Sequence, residues 1–117
     1  MNKEELEGML ISFFPDFEES WKREDIDREE DGSFTAHGIM SSFTHFYREN
    51  FAKFDTKLLE EFCRAIETVV AADPDDKSDV ANAICTCFLE NIAGEGGGNR
   101  IEPYLGKACK LFYLHWI

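Results

Sequence analysis

The chain lacks any apolar run close to the ~20 residues that a membrane-spanning helix needs, so a helical membrane protein is excluded. Its start, Met1-Asn2-Lys3-Glu4-Glu5, has neither the basic opening nor the apolar stretch of an export signal. Both absences predict a cytoplasmic chain. Bases are scarce: 12 Lys and Arg stand against 24 Asp and Glu, a net charge of −12. That balance repels nucleic acid and anionic membrane surfaces and attracts basic proteins. No segment alternates apolar and polar residues, which excludes a half-buried strand. The glycine run at 94–98 lacks the Gly-Lys-Ser/Thr ending of a phosphate cradle, and it carries Glu95, which would repel phosphate.

Cysteine is limited to Cys63, Cys85, Cys87 and Cys109. An even count implies disulfides only in a secreted chain. Each cysteine falls instead within a helical apolar pattern, so buried thiols acting as small hydrophobes are expected. Cys85-Thr86-Cys87 makes a poor metal site, because residues two apart on a helix point to different faces. Neither a structural metal nor a cofactor is expected.

What the chain does have is aromatic weight: 11 phenylalanines in 117 residues. Acidic disordered tails are poor in aromatics, so this composition predicts a folded domain with an acidic surface. The length predicts a single domain over residues 1–117. The charge is uneven. Residues 1–31 hold twelve acids and four bases, and Glu24 to Asp31 packs six acids into eight positions.

The apolar spacing is helical nearly throughout. Leu6, Met9, Leu10, Phe13 and Phe14 form one face, closed by Pro15, and Phe17 with Trp21 form the next. Ile39, Met40, Phe43, Phe46, Tyr47 and Phe51 mark a helix from about Ala36 to Asn50. Asp55 or Thr56 caps another that carries Leu58, Leu59, Phe62, Cys63, Ile66, Val69 and Val70. A further helix is predicted over about Lys77 to Ala93, with Val80, Ala81, Ile84, Cys85, Phe88, Leu89 and Ile92 as its buried side. The segment Gly94 to Asn99 reads as a flexible loop. A last helix starts near Glu102-Pro103 and carries Leu105, Ala108, Cys109, Leu111, Phe112 and Trp116 to the chain end. The predicted fold is all-α, an irregular bundle of five or six helices.

Three features invite a chemical reading. The series Asp27-x-Glu29-x-Asp31-Gly32-x-Phe34 resembles the first eight positions of a calcium-binding EF-hand loop, yet the closing bidentate Glu is replaced by Gly38. A solvated acidic loop is therefore expected. His37 and His45 lie two turns apart, about 12 Å along a helix, too far to share a metal. With His115 they are expected to cap or pack. The end, Phe112-Tyr113-Leu114-His115-Trp116-Ile117, is apolar on more than one side. It suits the central helix of the bundle, which is the preferred reading, or else an exposed patch for a dimer or partner.

Three groups of residues occur in a recognisable order: Phe14-Pro15-Asp16; Phe34-x-x-His37 through Phe43-x-x-Phe46; and Asp79-Val80-x-Asn82 through Phe88-Leu89-Glu90-Asn91-Ile92, with Leu105-Gly106 beyond. Together they resemble a family of small bacterial helical proteins, some of which look like immunity proteins of contact-dependent or polymorphic toxin systems. The resemblance implies an all-helical fold and supplies no catalytic residues. Gly94–Gly98 is longer than the pattern requires.

The leading expectation is a non-enzymatic, acidic binding protein: an immunity protein that masks a basic toxin such as a nuclease. Asp25, Asp27, Glu29, Glu30 and Asp31 are the expected contact residues, because an acidic surface steers onto a cleft built for phosphates. The alternative is a helical adaptor or regulator that acts through its aromatic C-terminal helix, including as a homodimer.

Overall fold

The computed structural model of the protein describes residues 1–23, 28–73 and 78–117. Its helices begin where the sequence supplies a cap. Asn2 accepts from Glu5 N–H while the Glu5 side chain accepts from Asn2 N–H, and this reciprocal pair opens α1 (Lys3–Phe13). Pro15 disfavours helical backbone at the residue before it, so Phe14 turns out of the helix and α2 (Asp16–Lys22) starts afresh. Thr35 caps α3 (Ala36–Asn50), and Asp55 caps α4 (Thr56–Ala71). Ser78 caps α5 (Asp79–Ala83), which continues through a π-helical segment, Ile84–Leu89, into α6 (Glu90–Ile92). Then come α7 (Gly96–Ile101), a 3₁₀ turn over Glu102–Tyr104, and α8 (Lys107–Leu114). The fold is all-α. Among the described residues, β pairing is confined to one antiparallel bridge between Arg28 and Phe34.

The central helix is α3, not the C-terminal helix that the apolar end of the sequence suggested. Eight of its fifteen residues are buried. Its Phe43 ring is a hub, with centroids 5.2 Å from Phe14, 5.4 Å from Phe17, 5.6 Å from Phe62 and 5.6 Å from Phe88. Four elements thus meet at one side chain. Tilted and edge-on ring pairs of this kind add about 0.5–1.5 kcal/mol each beyond simple burial. By contrast α8 buries only Cys109 and Tyr113. Leu111 and Leu114 on α8, and Trp116 and Ile117 beyond its end, are exposed.

Two further expectations are corrected. The segment read as a flexible glycine loop is largely helix, since α7 begins at Gly96. Its glycines serve close packing. A Cβ on Gly97 would sit 2.7 Å from the Tyr47 ring, and one on Gly98 would sit 2.1 Å from the Ile92 carbonyl oxygen. Only Gly94 needs left-handed backbone there, with φ +80°, to end α6. Secondly, the helix expected from Glu102-Pro103 to the chain end is broken. Leu105 and Gly106 are extended, and α8 starts two residues later.

Candidate functional site

The acidic stretch enters the described structure at Arg28. Asp25 and Asp27, two of the expected contact residues, lie outside the described residues. Glu29, Glu30 and Asp31 are all exposed, on a turn closed by three hydrogen bonds. Glu29 N–H donates to Ser33 O and Gly32 N–H to Glu29 O, each at 2.9 Å. Ser33 N–H donates to Asp31 Oδ1 at 2.9 Å. Gly32 supplies the φ of +86° that the turn requires. The hydrogen bonds from Ser33 hold the Asp31 carboxyl below its ordinary pKa. One oxygen that a calcium site would need at Asp31 is therefore engaged in closing the turn.

Arg28 pins this turn to the body. Its guanidinium lies 4.3 Å from the Trp21 ring centroid and 5.7 Å from that of Phe34. Its Nη2 reaches Glu7 Oε2 at 3.2 Å, and the same carboxylate oxygen accepts from the Trp21 indole N–H at 2.6 Å. Trp21 packs edge-on against Phe34 at 5.5 Å. Lys3 ties down the far end by donating to the Phe34 carbonyl at 2.8 Å. α1 and α2 thus form a platform, and three carboxylates point away from it. Sequence reasoning named the carboxylates and missed the pin. One signal was available: Arg28 is the sole base between Glu24 and Asp31.

The three histidines and Asn91 make contacts within the fold. His37 shares a 2.7 Å hydrogen bond with Asn82, which joins α3 to α5. His45 pairs with Glu49 one turn along α3, and His115 packs edge-on against Trp116. Asn91 donates to Thr86 O at 2.9 Å within the π-helical stretch. A cleft of about 500 Å³ lies between the starts of α1, α3 and α5. Its cap side chains Asn2, Thr35 and Ser78 are occupied by their own helices. Among the described residues no three His, Cys, Asp or Glu side chains come together to hold a metal ion, and no helix is long and apolar enough to cross a membrane.

All four cysteines are free thiols. Burial pushes Cys63 up to about 12, and burial followed by the charge of Glu67 raises Cys109 further. In both cases burial favours the neutral thiol over the thiolate. Cys87 alone is half-buried, contrary to the expectation of four buried thiols.

Glu67, which sequence reasoning also missed, does capping work across helices. α8 starts at Gly106, which has no side chain to cap it. Glu67 of α4 substitutes: its two oxygens accept from Ala108 N–H and Cys109 N–H, each at 2.9 Å. Burial alone would raise its pKa, but these donors reverse the effect and leave it below the ordinary value.

The fold and the site define an acidic, all-helical protein with a rigidly mounted carboxylate turn and an uncovered apolar helix face. The chain belongs to the domain-of-unknown-function family DUF7674, which matches residues 8–116, from within α1 to Trp116. Neither a curated protein nor a solved structure matches it.

Proposed function

We propose that this is a non-enzymatic binding protein that masks a basic protein partner, acting in the cytoplasm as the immunity partner of a toxin such as a nuclease. The observation that carries this reading is the mounting of the turn. Glu29, Glu30 and Asp31 are exposed together on a backbone fixed by Arg28, Trp21, Glu7 and Lys3. A pre-fixed acidic turn loses little conformational freedom on docking. The net charge of −12 adds long-range steering toward a basic cleft.

The test expresses a basic nuclease toxin domain with and without the protein, taken from the neighbourhood of this gene where one is encoded there. Protection of the cells is expected, with fast association that slows as salt rises. The triple substitution Glu29→Gln, Glu30→Gln and Asp31→Asn keeps the Asp31 acceptor for Ser33 and removes three charges. It should lower the association rate about tenfold at low salt and less at moderate salt. Lack of both protection and binding overturns the masking reading. Unchanged association at both salts moves the contact surface away from this turn.

A further inference from the structure

Gly32 and Gly94 take left-handed backbone, and a Cβ on Gly96, Gly97, Gly98 or Gly106 would press on a neighbour. Gly8 has neither reason to be glycine. It lies exposed in the middle of α1, and a Cβ built on it would meet nothing within 4 Å. Glycine inside a helix lowers the folding equilibrium about two- to fivefold relative to alanine. α1 is a helix of only 11 residues, short enough to feel that loss. The fold of the free molecule does not require the missing side chain.

Its position relates it to the acidic turn. Lys3 and Glu7, one helical turn apart on α1, hold the turn through the Phe34 carbonyl and through Arg28. Glu4 and Gly8 each follow them by one residue, so the exposed line from Glu4 to Gly8 runs beside the line on which the turn rests. Glu4 and Glu5 stand four and three residues before Gly8, which makes both its neighbours on the helix surface, and both are exposed. Bare backbone is thus bordered by carboxylates of the helix, next to the mount of Glu29, Glu30 and Asp31.

A missing Cβ lets another chain come closer to a helix than any side chain would allow. Acidic neighbours select a basic chain for that approach. We infer that the basic partner masked by the acidic turn also lies across α1, with a basic segment of its chain seated on Gly8. This rests on the masking reading and extends its contact surface from a turn to a helix face.

The free protein and the complex should then respond to substitution in opposite directions. Gly8→Ala should raise the urea midpoint of the free protein, because alanine is the better helix former. The same change should weaken binding of the basic nuclease toxin domain severalfold, and Gly8→Gln should weaken it about tenfold or more, as overfilling a close contact does. A weaker complex from a more stable protein cannot come from unfolding. Neither variant removes a charge, so the loss should lie in faster dissociation and persist at moderate salt, unlike that of the variant at Glu29, Glu30 and Asp31. Wild-type binding by Gly8→Gln would overturn the inference and leave the masking reading standing. A toxin domain that binds neither wild type nor variants would overturn both. A Gly8→Ala midpoint no higher than that of wild type would show that the glycine carries no penalty, and would also overturn the inference.

Discussion

At the scale of single residues, small side chains control large ones. A Cβ on Gly106 would lie 2.4 Å from Glu67 Cγ, and the Gly106 backbone, at φ −73°, accepts any residue. Gly106→Ala therefore acts by pushing Glu67 off the start of α8. The expected cost is about 1 kcal/mol, the usual worth of a lost helix cap, read from urea denaturation. Gly98→Ala should be far worse, at roughly 3 kcal/mol or more. Its Cβ would meet a backbone carbonyl at 2.1 Å and the Tyr113 hydroxyl at 2.4 Å, and the carbonyl has little freedom to yield. Equal, small effects from the two substitutions would contradict the packing described. Glu67 also has a pH signature. Its folded pKa is depressed, so its stabilisation is present above the unfolded value and fades as pH falls through the folded one. Denaturation of wild type and Glu67→Gln should show the gap between them narrowing from neutral to acid pH. A gap that stays constant would mean the carboxylate is not stabilised in place.

At the scale of elements, the helix from Asp79 to Ile92 is the instructive one. Its apolar spacing was legible, and every residue predicted for its inner side is buried: Val80, Ala81, Ile84, Cys85, Phe88, Leu89 and Ile92. Its π-helical middle was not legible, because that geometry is held from outside. The Thr44 hydroxyl, on α3, lies 2.7 Å from Cys87 O and 2.8 Å from Met40 O. Arg48, also on α3, donates to Asn91 O at 2.6 Å. Such partners lie about forty residues away in sequence, so local pattern carries no trace of them. α7 and α8 misled for related reasons. Three consecutive glycines look like freedom until Tyr47 and Tyr113 pack onto them, and a greasy helix end looks buried unless the body leaves it uncovered. The acidic residues of the candidate site were plain in the sequence, whereas their orientation depends on Arg28 meeting Trp21. Thr44→Val keeps the shape and removes the hydroxyl that bonds Cys87 O. We expect a loss of about 1–2 kcal/mol and faster amide exchange over Phe88–Ile92. Exchange unchanged there would show that the π segment stands without Thr44.

At the scale of the whole molecule, charge works against compactness. A net of −12 on 117 residues raises the energy of the folded state through self-repulsion. Raising ionic strength from about 0.01 M to 0.15 M shortens the screening length from about 30 Å to 8 Å. The melting temperature should accordingly rise by a few degrees. A flat or falling value would mean that the surface ion pairs, such as Arg48 with Glu95, outweigh the repulsion.

The stack of Arg28 on Trp21 has an optical consequence. The two tryptophans differ sharply, with Trp21 1% exposed and Trp116 48% exposed. The Trp21 indole touches a guanidinium on its face and a carboxylate at its N–H, and both belong to the mount of the acidic turn. Its fluorescence is sensitive to the position of those two charges. In a Trp116→Phe background, with excitation at the red edge where tyrosine does not absorb, the one remaining tryptophan would report from under the candidate contact surface. Any partner that draws on the turn should change the emission without an added label, and a partner that docks elsewhere should leave it unchanged.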